Sequence, residues 1–324
     1  MKKILLLFFC GVQLSLPAQI SDSSTTYIHA VAPSSNAKAV QGIFAFLGIK
    51  HRLLNYMTGK RHIPQRAATL PLSLRSKFHI TTAQIAGHRV WTITPKSKIS
   101  ETTILYLHGG AYILNISSFH WKFIEKLLSQ TQATIVIPDY PLAPAAHAEN
   151  VYACILAVYR EIFSRKPRKL VVMGDSAGGG LALGFSEYLQ TLQMKQPDEV
   201  VLLSPWLDVT MSNADATAVN HTDKMLNIRG LQLAGKAYAG AWNETDYRIS
   251  PLFGQLSGLP PISIFTGTHD VLMPDSRKLK ALLQQQHSVC HYYEYPQMFH
   301  GWMVVTGLRE SKTVMKQLAT IVNH

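Results

Sequence analysis

The sequence predicts an α/β fold, a mostly parallel sheet with helices on both faces. Three observations carry that expectation. From Thr102 onward, short runs rich in Ile, Val and Leu alternate with longer segments of helical period, the rhythm of a sheet buried on both sides. A pair of segments with period two precedes them, as in a hairpin. The length, 324 residues, lets a compact fold bury about 75% of its unfolded surface without disulfide staples. Charged residues are 15% and apolar ones 47%, which excludes an intrinsically disordered chain.

The first segment reads as an export signal. Lys2 and Lys3 precede an apolar run from Ile4 to Leu16, and Leu16-Pro17-Ala18 offers a cleavage point after Ala18. The run is too short for a membrane span of about 20 residues. The expected mature protein is therefore exported, periplasmic or extracellular, with no stable span once residues 1–18 are removed. Cys10 is followed by more apolar residues, against lipid attachment. Residues 19–37 are polar and irregular and read as a tail or linker. Removing residues 1–18 leaves a net charge of +10. The bases are dispersed apart from Lys50, Arg52, Lys60, Arg61 and Arg66, and no nucleic-acid motif surrounds them. A solvated basic face is the plain reading, with adhesion to an envelope surface as the alternative. Cys154 lies in a helical pattern and Cys290 in a strand pattern, so two buried free thiols are expected rather than a bridge.

Between Val40 and Thr58, Ile43, Phe46, Leu47 and Leu54 recur at helical spacing and predict one or two amphipathic helices. KFHITTAQIA and HRVWTITP alternate about Ala86-Gly87 and predict a hairpin. TTILYLH, ATIVIPDY, KLVVMG and EVVLLS are strands, separated by helices. After Pro205-Trp206 the rhythm breaks for about forty residues, Leu207 to Tyr247, with a helical pattern at Leu231 to Tyr238. It resumes with PISIFTG, a helix, VCHYYEY and a closing helix.

The strand KLVVMG runs straight into Gly174-Asp175-Ser176-Ala177-Gly178, and a helix follows. A G-x-S-x-G pattern at a strand-to-helix corner lifts a serine hydroxyl above the strand ends. The glycines let the flanking chain pass close by. The new helix aims its first amides at developing negative charge. Leu107-His108-Gly109-Gly110-Ala111-Tyr112 follows another strand, and the amides of Gly109, Gly110 and Ala177 are candidate donors to an oxyanion. His108 reads as a structural hydrogen-bonding residue. A serine needs a base, itself oriented by an acid. Asp270 directly follows ISIFTGTH and His300 follows YYEYPQMF, in the order this chemistry uses on such a sheet. Asp275 competes as the acid, although its place near a helix start suits capping.

These stretches resemble the hormone-sensitive-lipase-like family of α/β-hydrolases, in its bacterial branch with the G-D-S-A-G-G signature. The likeness extends over Asp139-Tyr140-Pro141-Leu142-Ala143-Pro144, Ser204-Pro205-Trp206-Leu207-Asp208, Ser250-Pro251-Leu252 and Phe299-His300-Gly301-Trp302, covering about residues 80–305. It implies a mostly parallel eight-stranded sheet and a helical cap from about 38–75 and 207–247, within one domain at 38–324. It also implies a serine carboxylesterase that acts on short- to medium-chain esters without a cofactor or metal. Deacetylase, lactonase or amidase activity stays open on the same residues, as does, more remotely, a non-catalytic ligand-binding relative. Tyr112 and Trp206 are candidate substrate contacts; with Tyr238 and Trp242 they read more readily as packing than as selective contacts. The family's usual Arg and Glu in the D-Y-R-L-A-P-E stretch are replaced by Pro141 and Ala145, which puts that loop's local structure in question. No oligomeric state follows from the sequence, and a homodimer stays open.

Overall fold

A computed structural model describes residues 23–64, 68–97 and 99–324. The expected leader, residues 1–18, and Arg66 lie outside the described residues. In chain order the elements are β1 (Thr25–Ile28), α1 (Ser35–Phe46), α2 (Arg52–Met57), α3 (Leu72–Lys77), β2 (Phe78–Ile85), β3 (His88–Pro95), β4 (Thr102–Leu107) and α4 (Ser118–Thr131). Next come β5 (Thr134–Pro138), α5 (Ala148–Ser164), β6 (Lys169–Asp175), α6 (Ala177–Thr191), β7 (Glu199–Leu203), α7 (Ala214–Asn220) and α8 (Ile228–Ala239). The chain closes with β8 (Ile262–His269), α9 (Met273–Gln285), β9 (Cys290–Phe299) and α10 (Arg309–Asn323).

One sheet holds nine strands in the order β1-β9-β8-β7-β6-β4-β5-β3-β2. The β2–β3 and β3–β5 pairs are antiparallel; every other pair is parallel. The central strands are buried on both faces because helices cover both sides, hence their continuous Ile, Val and Leu runs. Two apolar clusters result. One gathers α5, α6 and α8 against Leu105, Val172 and Leu202; the other gathers α4 and α10 against Ile104, Val171 and Val201. Alternate residues of each strand go to opposite layers, as the pleat requires.

The sheet has one strand more than the eight the resemblance implies. The extra strand is β1, in the stretch read as a tail. Its four residues pair in parallel with His291–Glu294 at the sheet edge and stay largely exposed. An edge strand with one solvated face needs no apolar run, so nothing in its composition marked it. Behind it, Ser34 caps α1 through Ala37 N–H and gives its own N–H and hydroxyl to the Glu310 carboxylate of α10, at 2.6 and 3.0 Å. Burial would raise the Glu310 carboxyl, but the backbone and Ser34 hydrogen bonds and Arg309 hold it below its ordinary value.

The break in rhythm after Trp206 contains α7 and α8, and α2 packs against α8 where Leu54 lies over Gly230. Cys154 and Cys290 are free and buried, and burial pushes both thiols up to about 12. Among the described residues, no helix is long and apolar enough to cross a membrane.

Glu310→Ala removes a charged acceptor from two bonds that tie the N-terminal segment to α10. Urea unfolding should show a loss of about 1.5–3 kcal/mol; an unchanged midpoint would mean that the Ser34 contact is idle.

Candidate active site

The corner between β6 and α6 is built by close backbone packing. Ser176 sits there at φ 54°, ψ −120°, a conformation that a side chain rarely adopts. Four bonds hold it. Its N–H donates to Leu203 O at 2.8 Å, and its carbonyl accepts from Trp206 N–H at 2.9 Å, Gly179 N–H at 3.0 Å and Gly180 N–H at 3.1 Å. Neighbouring chain leaves no room for larger residues: a Cβ on Gly174 would overlap the Gly178 carbonyl, and one on Gly178 would overlap Leu107 O. The G-x-S-x-G spacing is thus a steric requirement of this turn.

β8 and β9 end beside that corner and deliver the other two groups. His300 Nε2 lies 2.9 Å from Ser176 Oγ, and His300 Nδ1 lies 2.9 Å from Asp270 Oδ2. All three are buried, with 8% of Ser176, 6% of His300 and none of Asp270 exposed, so their interactions are weakly screened. Asp270 keeps its place by accepting Leu272 N–H at Oδ1, 2.9 Å away. Burial alone would lower the His300 pKa. The charge and hydrogen bond of Asp270, joined by the charges of Asp223 and Asp175, outweigh it and leave the imidazole above its ordinary value.

Asp175, next to the serine, organises the opposite wall. Its Oδ1 accepts Tyr106 O–H at 2.6 Å and Gly109 N–H at 3.0 Å; its Oδ2 meets His120 Nε2 at 3.1 Å. Burial would raise this carboxyl, but His120, Tyr106 and Gly109 together bring it below its ordinary value. The consequence corrects one expectation. Gly109 cannot serve as an oxyanion donor in this arrangement, because its N–H is already given to Asp175. Among the described residues, the N–H groups of Gly110, Ala111 and Ala177 have no acceptor, and Gly110 and Ala111 both have positive φ. His108 is structural, as expected. It stacks on Tyr140 with centroids 4.4 Å apart, and burial lowers its pKa to about 4.

Residues 104–304 match the family pattern described as alpha/beta hydrolase fold. The chain belongs to the alpha/beta-hydrolase fold family. It is 32% identical over 217 residues to an esterase of Acinetobacter venetianus, across 64% of this chain and 72% of that one. A candidate esterase from Staphylococcus aureus superposes with a TM-score of 0.78 at 31% identity, covering 84% of this chain and 92% of that one. An esterase of the bacterial hormone-sensitive lipase family shares the fold with a TM-score of 0.77 at 22% identity, covering 90% and 99% of the two chains.

The hydrolase fold brings Ser176, His300 and Asp270 together and leaves Asp275 out. Asp275 is buried in the first turn of α9 and accepts from Asn213 Nδ2 at 2.9 Å. Tyr112 and Trp206 do not line an open pocket. Both are fully buried, and Tyr112 stacks on Tyr238 with centroids 3.6 Å apart and on Trp206 at 5.6 Å. The stack packs over α6, where Gly180 leaves room for Trp206 O and Tyr112 Oη. Their aromatic character therefore serves packing. The loop with Pro141 and Ala145 remains tied down, since Ala143 N–H donates to Tyr112 O and Arg89 pairs with Asp139 at 2.8 Å.

Two positioning residues escaped the sequence reading. Ser204 Oγ accepts Gly301 N–H at 3.2 Å, just after His300. Asp223, between α7 and α8, is fully buried and accepts Val271 N–H at 2.9 Å, just after Asp270. Burial first, then the Asp270 charge, pushes the Asp223 carboxyl up. Ser204 stood within a quoted motif but had no assigned role. Asp223 lay in the insertion ahead of its helical stretch at Leu231 to Tyr238, and only the fold shows what it touches.

The His300 ring should titrate above 6.5 when followed by NMR, and in Asp270→Asn below 6.5, because burial then acts with far less opposition. Equal midpoints in the two proteins would contradict the electrostatic account.

Proposed function

We propose that this hydrolase is a serine carboxylesterase that cleaves short- to medium-chain carboxylic esters through an acyl-enzyme on Ser176. The carrying observation is the continuous chain Ser176 Oγ–His300 Nε2 and His300 Nδ1–Asp270 Oδ2, each link 2.9 Å, at a serine raised on a strained corner. Support also comes from the family membership and from the esterase of Acinetobacter venetianus.

The steps follow from the geometry. Ser176 Oγ attacks the ester carbonyl while His300 Nε2 takes its proton. The carbonyl electrons move onto oxygen, beside the free amides of Gly110 and Ala177. As the carbon–oxygen bond to the alcohol breaks, His300 returns the proton to the leaving oxygen. Water then attacks the acyl-enzyme, with His300 again as base, and Ser176 leaves with that proton as the carboxylic acid departs. Asp270 holds the ring in one orientation and stabilises its charged form. The chemistry as drawn needs no cofactor or metal.

The helices α1, α2, α7 and α8 are proposed as the cap that bounds the acyl side and limits chain length. The leader-like first 18 residues support export, so the substrates are proposed to be small esters met outside the cytoplasm.

Hydrolysis of p-nitrophenyl esters from acetate to palmitate tests the reading. Turnover should peak at short or medium chains, and Ser176→Ala should lower kcat on the order of 10⁶-fold. Turnover of Ser176→Ala near the parent rate would overturn it.

A further inference from the structure

The chain's charge is segregated. Residues 23–100 contain 11 Lys and Arg and no Asp or Glu, whereas residues 101–324 contain 18 basic and 18 acidic residues. Beyond the leader, all the net positive charge therefore belongs to the segment that carries α1, α2, α3 and the first hairpin. The part that holds Ser176, Asp270 and His300 is neutral.

That basic segment also carries an uncovered apolar face. At the end of α1, Ile43, Phe46 and the capping Leu47 are 53%, 90% and 57% exposed. Their i, i+3, i+4 spacing puts them on one side of the helix. The other side is seated on the body. Phe44 meets Phe299 edge-on at 5.5 Å, Gln41 Nε2 donates to Gln297 O at 3.0 Å, and Gln41 Oε1 reaches His269 Nδ1 at 3.3 Å. α1 thus rests on the strand ends that bear Asp270 and His300, and its outer apolar residues point away from them. Exposed Lys38, Arg52, Lys60 and Arg61 belong to the same segment, and none is in an ion pair among the described residues. Lys50 is different. It turns inward onto the carbonyls of Asn220 and Asp223.

A basic surface alone fits any polyanion. Exposed Phe and Leu on a helix, in the same segment as exposed cations, fit a bilayer interface, where apolar side chains reach the headgroup–acyl boundary and cations stay among anionic headgroups. A nucleic acid backbone offers no apolar layer for Phe46. We propose that α1 and the basic stretch that follows it dock the protein on an anionic bilayer surface. Ile43, Phe46 and Leu47 enter the interface, and Lys38, Arg52, Lys60 and Arg61 pair with headgroups. Docking in this pose holds the His300 side of the molecule close to the lipid surface. It requires no turnover, so it is separable from the esterase reading.

The full chain carrying Ser176→Ala is sedimented with vesicles of phosphatidylcholine alone, or with phosphatidylglycerol added to about 30%. Binding should favour the anionic vesicles and weaken as salt rises. Phe46→Ser with Leu47→Ser should lower the partition about tenfold or more. Arg52→Gln with Lys60→Gln and Arg61→Gln should lower it comparably and remove most of its salt dependence. All five side chains are exposed, so each variant should keep the parent's melting temperature. No binding, equal binding to both vesicle types, or binding that neither set of substitutions changes would overturn the proposal. The last result would assign membrane attachment to the leader instead.

Discussion

Ser176 is held at φ 54° on a corner where neighbouring backbone leaves no space for a Cβ at Gly174 or Gly178, and the rest of the site is arranged around that constraint. A serine in this conformation cannot withdraw into the helix or the strand. The backbone bonds to Leu203 and Trp206 fix it to the end of β7. The same chain end supplies Ser204, which holds the amide after His300. One forced backbone conformation therefore sets the positions of the hydroxyl, the imidazole loop and the start of α6 together. A change that relaxes the corner would disturb all three.

Electrostatics forms the second layer. Three carboxylates, Asp175, Asp223 and Asp270, act on one buried imidazole. They differ in what they hold. Asp270 bonds the ring, Asp175 anchors Gly109, and Asp223 anchors Val271. Because Asp223 comes from the insertion between β7 and β8, that insertion is tied to the loop of the acid. Lys50 completes the link, since it reaches the carbonyls of Asn220 and Asp223 from the segment just after α1. The parts expected to form a cap are thus mechanically joined to the reactive centre.

Most of the fold was legible in the chain because parallel strands buried on both faces are written as unbroken Val, Ile and Leu runs. The serine corner, the histidine and the acid were legible because each follows such a run directly, and β8 and β9 extend to His269 and Phe299, right up to those residues. β1 was not legible, since a four-residue edge strand of Thr-Thr-Tyr-Ile has no interior face to advertise. The reassignment of Gly109 needed a hydrogen-bond ledger: its amide is spent on Asp175, a side chain 66 residues away. Asp223 was hidden for the same reason, since its partner lies 48 residues away. Tyr112 and Trp206 sit next to functional motifs in sequence yet face inward, so proximity along the chain overstated their contact with substrate.

The central claim is that Ser176 is a nucleophile activated by His300. Reaction of the full chain with a serine-directed phosphonate, followed by peptide mass spectrometry, tests it without assuming any substrate. The account predicts one adduct, on the peptide containing Ser176, formed much more slowly in His300→Ala. An adduct elsewhere, or a Ser176 adduct whose rate does not depend on His300, would contradict it.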